Sequence, residues 1–188
     1  MSSIKNTRIL DVLNGLPVDK TPVWIMRQAG RYLPEYKETR KKAGSFLGLC
    51  KNPDLASEVT IQPLKRFDLD AAIIFSDILT IPDAMGLELK FEDNRGPFFD
   101  KPLSNSDEVN SLDPNNIAKK LDYVANAIVE TKSKLNNEVP LIGFSGSPWT
   151  LSTYMVEGSA TKDFRKIRSA VFNNPEMVEK LIEKLTFW

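Results

Sequence analysis

The spacing of hydrophobic and polar residues predicts several helices along this chain. Six segments have helix signals: in most of them apolar positions recur at helical spacing, residues 34–43 form a charged segment closed by Gly44, and several carry start or stop residues at their ends. These segments are 7–14, 34–43, a helix that begins at Pro53, 117–135, 163–172 and 175–185. In the first of them, Ile9, Leu10 and Leu13 are expected to share one face.

Other segments have the patterns of strands. Residues 71–75 are apolar throughout, which is typical of a strand covered on both faces in a parallel sheet, and residues 140–144 predict a second buried strand. Residues 22–26 form a further apolar run of strand type. Residues 86–100 contain alternating positions around the turn residues 93–96, which predicts a surface hairpin. This order of strands and helices predicts an α/β fold.

The run over 22–26 leads into two arginines, Arg27 and Arg31, with Gly30 between them. Gly30 and Pro34 weaken a continuous helix, so we expect a turn or a short bent element here. Arginines that project from the end of a buried element can bind planar carboxylates through paired hydrogen bonds. The alternative is an ordinary solvated helix surface, where two arginines four residues apart are also common.

Asp77 follows the strand over 71–75, at the end of a strand where α/β folds bind ligands. The alternative role for this carboxylate is to cap a short helix that begins near residue 78. The small-residue turn over 145–150 follows the other buried strand, although its glycine pattern is weak evidence of a phosphate site. Residues 45–49 predict an apolar loop, which is either a lid or a loop held to the core by Phe46.

The composition narrows the possible functions. The chain has 188 residues, of which 25 are basic and 25 are acidic. We therefore expect no general attraction to nucleic acid or to an anionic membrane surface. No apolar run approaches the ~18 residues of a membrane helix, and the first residues lack a signal pattern, so we expect a cytoplasmic protein.

The chain has no histidine, and Cys50 is its one cysteine. It therefore offers neither a disulfide nor the usual ligand set of zinc, and we expect no metal site. Cys50 is expected to pack as a small apolar residue. Without histidine, a general acid or base in this chain has to be a carboxylate, a tyrosine, a lysine or an unusual arginine.

Three motifs closely resemble those of uroporphyrinogen decarboxylase, the cofactor-free enzyme of porphyrin biosynthesis. They are MRQAGRYLPEY at 26–36, FSDIL at 75–79 and GFSGSPWTLSTYMVEG at 143–158, and the matches together span essentially the whole chain. The resemblance implies a set of substrate contacts in which Asp77 faces the pyrrole N–H groups of the tetrapyrrole. These contacts are Arg27, Gln28, Ala29, Gly30, Arg31, Phe46, Asp77 and Tyr154.

The activity that the resemblance implies is decarboxylation of the four acetate side chains of uroporphyrinogen III, which gives coproporphyrinogen III and CO₂. No cofactor is expected, because a protonated pyrrole ring is itself a cation that can accept the electrons left by CO₂. Asp77 would stabilise this cation as a catalytic residue, and Arg27 and Arg31 would orient the acidic side chains. The proton donor stays open. A homodimer is expected, with no nucleic-acid or membrane partner.

The fold implied is a (β/α)₈ barrel of the TIM type. Such a barrel typically needs ~250 residues, whereas this chain of 188 residues contains only three or four predicted buried strands. We therefore expect residues 1–188 to be the N-terminal half of a single barrel domain, with the C-terminal half missing. Two alternatives stay open: an inactive truncated fragment, and a related corrinoid-linked methyltransferase, which would need a zinc cluster of histidine and cysteine.

Overall fold

A computed structural model describes residues 4–92 and 95–186. These residues form two compact units, and each unit combines two separate stretches of the chain. The first unit draws its residues from Met1–Ser76 and Asp122–Phe144, and the second from Asp77–Leu121 and Ser145–Trp188.

The structure contains short parallel and antiparallel strands among many helices. In chain order the elements are α1 (Arg8–Leu13), α2 (Pro34–Lys42), α3 (Phe46–Cys50), α4 (Pro53–Arg66), β1 (Ala72–Ile73), α5 (Thr80–Ala84), β2 (Leu89–Glu92), β3 (Gly96–Phe99), α6 (Ser106–Ser111), α7 (Ile117–Lys120), α8 (Asp122–Leu135), β4 (Leu141–Ile142), α9 (Pro148–Glu157), α10 (Arg165–Asn173) and α11 (Pro175–Thr186).

The first unit is built around the parallel pair β1 and β4. Ala72 lies opposite Leu141 and Ile73 lies opposite Ile142, so the two predicted buried strands are confirmed as parallel neighbours, although each is only two residues long. Helix α4 packs against both β1 and α8. Ala56 of α4, Ala127 of α8 and Ile74, the residue after β1, meet in one cluster with Leu141 of β4 packed against it, which buries surface that a solitary helix or strand would expose.

Helix α4 begins where the sequence predicts. The Asn52 side chain accepts a hydrogen bond from the N–H of Leu55 at 3.1 Å, and Pro53 takes the first helical position, where no hydrogen-bond donor is needed. Helix α4 also contributes Val59 to a second cluster with Leu33, Tyr36 and Leu49. This cluster ties α2 and α3 to α4, so the residues that follow Arg31 are anchored in the core of the first unit.

The second unit combines a hairpin with a group of helices. Strands β2 and β3 are antiparallel, with Leu89 opposite Phe99, which confirms the predicted hairpin. Two of its predicted turn residues, Asp93 and Asn94, lie outside the described residues. Helices α9, α10 and α11 pack against one another, and the largest fully buried side chains of these helices are Leu151, Met155, Ile167, Met177 and Leu181.

Two predicted segments are wrong in detail, and one helix was not predicted. Residues 117–135 form two helices, because Leu121 (φ −103°, ψ 13°) leaves helical geometry between α7 and α8. Residues 45–49 are not an open loop: the Ser45 side chain accepts the N–H of Gly48 at 2.8 Å and so caps α3. Helix α6 was not predicted, although Asn105 accepts the N–H of Glu108 at 2.9 Å in an Asn-x-x-Glu capping pattern that the sequence shows.

Two segments with apolar patterns remain exposed, and the strand predicted over residues 22–26 is wrong. Helix α1 forms, but it has no buried residue and Leu13 is 77% exposed. Residues 22–26 do not form a strand, and Val23, Ile25 and Met26 are 50%, 52% and 64% exposed. The apolar pattern of a segment indicates that it can be buried, whereas its actual burial depends on what packs over it.

Candidate active site

Arg27 and Arg31 lie in the first unit, in a bent segment without regular secondary structure. The N–H of Gln28 donates to the carbonyl of Ile25 at 3.0 Å, and the N–H of Leu33 donates to the carbonyl of Gly30 at 3.0 Å. These successive turns confirm the predicted bent element. Neither arginine lies in a helix, but both are exposed, so a solvated surface stays the alternative to carboxylate binding.

The two arginine side chains are exposed and free to bind a ligand. Within residues 4–92 and 95–186, neither side chain makes a hydrogen bond or an ion pair. Each guanidinium therefore keeps its five N–H donors, in the planar fork that matches a carboxylate. A ligand with several carboxylates is the chemistry that this segment suits.

Gln28 differs from the arginines beside it, because its side chain is only 1% exposed. Its Nε2 donates to the carbonyl of Ala71 at 3.2 Å, and its Oε1 accepts the N–H of Ile25 at 3.3 Å. Ala29 packs against the cluster of the first unit that contains Leu33. The Gln28 side chain thus joins the arginine segment to the residue before β1, and its contact with a substrate stays a prediction.

Phe46 lies at the first position of α3 and is held by aromatic neighbours. Its ring meets that of Phe75 edge-on, with centroids 5.9 Å apart and planes at 72°. The guanidinium carbon of Arg40 lies 5.9 Å from the Phe46 centroid, and Phe75 also packs edge-on against Tyr36. Of the two predicted roles for this segment, the structure favours the one in which Phe46 holds it to the core.

Asp77 lies in the second unit, in the turn before α5. Its Oδ1 accepts the N–H of Leu79 at 2.7 Å, so the carboxylate orders the turn, although α5 itself begins three residues later at Thr80. Burial raises the pKa of Asp77; the hydrogen bond from Leu79 opposes this shift, and the nearby carboxylate of Asp83 adds to it. An ionised Asp77 is therefore poorly solvated, and a cationic ligand would stabilise it.

The turn after β4 lies next to the residue that follows Asp77. A Cβ atom on Gly146 would stand 2.6 Å from Leu151 Cδ2 and 3.4 Å from Ile78 Cβ, so only glycine fits without displacing a neighbour. Ser147 accepts the N–H of Thr150 at 3.2 Å and caps α9, as Pro148 at the helix start predicts. The second unit thus brings the two predicted strand-end turns together.

Tyr154 belongs to α9 and is half-buried. Its phenol makes no hydrogen bond among the residues that the structure describes, and its carbonyl accepts the N–H of Gly158 at 2.8 Å. The predicted site residues therefore fall into two sets, with Asp77 and Tyr154 in the second unit and the others in the first.

Asp70 is a buried carboxylate that no sequence motif singled out, and it binds Val23 of the arginine segment. Its side chain is 2% exposed and accepts hydrogen bonds from Asn6 Nδ2 at 2.9 Å, from Arg8 Nη1 at 3.1 Å and from the N–H of Val23 at 2.7 Å. Burial raises the pKa of Asp70, but the hydrogen bonds and the charge of Arg8 outweigh it, so the pKa lies below its ordinary value. The sequence signal that could have drawn attention to Asp70 is its position directly before the apolar run over residues 71–75.

The described residues contain neither a membrane-spanning helix nor a cluster of metal ligands. No helix among the described residues is long and apolar enough to cross a membrane. The same residues contain no group of three or more histidine, cysteine, aspartate or glutamate side chains that could hold a metal ion.

Comparison with known proteins identifies relatives along the whole chain. The sequence model described as uroporphyrinogen decarboxylase (URO-D) matches residues 4–188. The chain belongs to the uroporphyrinogen decarboxylase family. Curated proteins named uroporphyrinogen decarboxylase from Pseudoalteromonas atlantica and Teredinibacter turnerae are 58% and 57% identical to it over 185 residues. These alignments cover 98% of this chain and 52% of each relative, so the chain spans about half the length of the curated relatives it matches.

A solved structure has a fold similar to that of this chain. A methyltransferase from Methanosarcina mazei matches with a TM-score of 0.75 at 21% identity, over 98% of this chain and 53% of that one. A likeness at this level of identity concerns the fold alone. Together with membership of the uroporphyrinogen decarboxylase family, it gives the chain an α/β fold of the TIM-barrel type.

Proposed function

We propose that the full-length protein is a uroporphyrinogen decarboxylase, which removes CO₂ from the four acetate side chains of uroporphyrinogen III and yields coproporphyrinogen III. The observation that carries the proposal is the 57–58% identity to proteins of that name over 98% of the chain. Two exposed arginines without a partner among the described residues also fit a substrate with many carboxylates.

The proposal includes the extent of the domain. Because the matches cover about half of each relative, residues 1–188 would form the N-terminal half of one (β/α)₈ barrel domain. The parallel pair β1 and β4 would belong to the ring of eight strands in such a barrel.

Arg27 and Arg31 would bind the carboxylates of the substrate. Each acid–guanidinium pair can form two parallel hydrogen bonds, which fixes the direction as well as the position of the acidic side chain. This orientation would bring each acetate in turn to the reacting position. The backbone of Gly30, together with Gln28, Ala29, Phe46 and Tyr154, would complete the surface that the tetrapyrrole contacts.

Asp77 would act on the chemical step. Protonation of the pyrrole ring makes it cationic; the bond to the carboxylate carbon then breaks, its electron pair moves into the ring, and CO₂ leaves. A second proton converts the methylene carbon to a methyl group, and the ring gives up the first one. Ionised Asp77 would stabilise the cationic ring through charge and through the pyrrole N–H groups. No residue is assigned as the proton donor.

The direct test supplies reduced uroporphyrinogen III, without oxygen, to the purified full-length protein and separates the products by their number of carboxylates. We expect progressive loss of up to four carboxylates and release of an equal number of CO₂ molecules. A monodisperse, folded protein that releases no CO₂ would exclude the proposal.

A corrinoid-linked methyltransferase is the second candidate, and it is not favoured. The methyltransferase match rests on 21% identity, against 57–58% for the decarboxylases. A cytoplasmic location and a homodimer remain part of the proposal. Sedimentation of the full-length protein tests the dimer, and cell fractionation tests the location.

A further inference from the structure

The segment that carries Arg27 is held by hydrogen bonds to two consecutive residues, Asp70 and Ala71. We infer that Asp70 is a positioning residue, which fixes the arginine segment and thereby sets the affinity for the acidic substrate. This inference rests on the proposed function, since it assumes that Arg27 and Arg31 bind the substrate. It goes beyond that function because Asp70 would act through the arginines, without touching the substrate.

The first anchor is at Val23. The N–H of Val23 donates to Asp70 Oδ2 at 2.7 Å, and the N–H of Asp70 donates to the carbonyl of Val23 at 2.8 Å. Both backbone groups of Val23 are therefore bound by one residue, whose carboxylate is itself 2% exposed. A hydrogen bond to a buried charged group is stronger than one between neutral groups, so this anchor is a firm one.

The second anchor is Gln28, whose amide links Ile25 to the carbonyl of Ala71. Within the described residues, the hydrogen bonds of residues 21–27 are those at Val23 and the pair between Ile25 and Gln28. Since the side chains of Ile25 and Met26 are mostly exposed, packing contributes little to holding this part of the chain. Loss of the Asp70 anchor should therefore let the segment move.

The other oxygen of Asp70 extends the anchor to the chain that enters the segment. Asp70 Oδ1 accepts from Asn6 and from Arg8, and Arg8 in turn binds both carboxylate oxygens of Asp19, at 2.6 and 2.9 Å. One buried carboxylate thus connects α1, the loop at Asp19 and the arginine segment. The charge of Arg8 compensates that of Asp70, which makes a buried carboxylate tolerable at this place.

The test compares Asp70→Ala with Asp68→Ala in the full-length protein. Asp68 is a matched control, because it is an exposed aspartate two residues earlier whose one ion pair, to Lys20 at 3.0 Å, lies on the surface. We expect Asp70→Ala to raise KM about tenfold or more with kcat changed less than about twofold, since loosely held arginines bind less well but leave the chemistry intact. Asp68→Ala should leave both constants unchanged.

Hydrogen exchange gives a readout that does not depend on decarboxylation. In Asp70→Ala, a peptide spanning residues 22–28 should exchange at least about tenfold faster, while peptides from α9 and α11 keep their protection. If the wild-type protein shows no decarboxylation, the proposed function fails, whereas this comparison still tests the anchor.

Unchanged exchange over residues 22–28, or faster exchange there with KM unaltered, would overturn the inference. A fall in kcat alone, in proportion to the folded fraction of the variant, would show that Asp70 only stabilises the fold. That result would also overturn the inference. If Asp70→Ala does not fold, Arg8→Lys serves instead, because lysine cannot bind Asp19 and Asp70 together as Arg8 does. It must then raise KM in the same direction, and an unchanged KM in that variant would contradict the inference.

Discussion

Asp70 and Asp77 stand on either side of β1, and their surroundings shift their pKa values in opposite directions. Burial raises the pKa of Asp77, the hydrogen bond from Leu79 opposes this shift, and the nearby carboxylate of Asp83 adds to it. Burial acts on Asp70 too, but three hydrogen bonds and the charge of Arg8 reverse the result. The fold thus stabilises the ionised form of Asp70, whereas burial disfavours the ionised form of Asp77, and a cationic intermediate would offset that cost.

We therefore predict that Asp77→Asn raises stability at pH 7 while it lowers kcat. The pKa of Asp77 is higher in the folded protein than the ordinary value of 3.8 that applies in the unfolded chain, so the folded protein binds this proton more readily. At a pH above the raised pKa, the ionised Asp77 therefore lowers the stability of the fold. Asparagine removes the charge and can still accept the N–H of Leu79. Thermal unfolding measured from pH 7 down to pH 3.8 checks this. The gain in melting temperature of Asp77→Asn over the wild type should shrink as the pH falls below the raised pKa of Asp77.

The catalytic part of this prediction is measured separately. A neutral amide cannot stabilise a cationic ring, so we expect kcat to fall by two orders of magnitude or more, about the effect of losing one preorganised electrostatic group. Turnover of Asp77→Asn close to the wild-type rate would exclude the assigned role, whatever its melting temperature.

Arg27→Ala and Arg31→Ala should each weaken substrate binding. The loss of a charge-assisted hydrogen-bonded pair is worth about 1.5–3 kcal/mol, so KM should rise roughly tenfold or more. Arg168→Ala is the matched control, since Arg168 is an exposed arginine on α10. The difference between mutant and wild type should shrink between low and high salt, because salt screens exposed charges. Equal KM values in all four proteins would show that the two arginines do not bind the substrate.

At the scale of an element, the turn after β4 depends on the absence of a side chain at Gly146. Gly146→Ala should destabilise the second unit by about 1–3 kcal/mol, because its Cβ would overlap the buried Leu151 side chain. It should also lower activity by displacing Ile78, the neighbour of Asp77. Gly143→Ala is the control, since a Cβ there meets no atom within 4 Å. Urea unfolding of both variants measures the effect, and equal midpoints would contradict it.

Helix α6 depends on a lysine from a distant helix. Lys184 Nζ on α11 donates to the carbonyls of Val109, Asn110 and Leu112, at 2.9, 3.0 and 3.0 Å, and so satisfies the end of α6. Lys184→Met should lower the free energy of unfolding by about 1–2 kcal/mol, because these carbonyls lose a charged donor. Lys180→Met, one turn earlier on α11 and exposed, should change it much less. A similar loss in both variants would place the effect in α11 itself.

Elements with local signals could be predicted from the sequence, and those set by distant contacts could not. The start of α4 follows from Asn52 and Pro53, which act within one helical turn. The exposure of Val23 and Ile25 depends on which residues pack over them, and the apolar pattern of the segment does not specify those residues. Likewise, Arg27 and Asp77 were predicted because short motifs carry them, whereas Asp70 was missed because its partners, Asn6, Arg8 and Val23, lie 47 to 64 residues away in the sequence.

At the scale of the whole molecule, the length of the relatives bears on what residues 1–188 can do by themselves. The chain spans 52% of the length of the decarboxylases it matches, so the proposed site would lack whatever the other half supplies. Val23, Ile25 and Met26 expose apolar surface next to Arg27. Exposed apolar segments of this kind favour aggregation, and an open site lets water weaken each charge interaction with the substrate.

We therefore predict that a polypeptide of residues 1–188 alone performs no measurable decarboxylation, while the full-length protein does. Water would compete for the exposed arginines and so weaken the carboxylate contacts that orient the substrate. The fragment should still bind a hydrophobic dye more strongly per molecule than the full-length protein. Reduced uroporphyrinogen III is supplied to both without oxygen, and the products are separated by carboxylate number. Multiple turnovers by a monodisperse preparation of residues 1–188 would show that these residues already hold a complete active site.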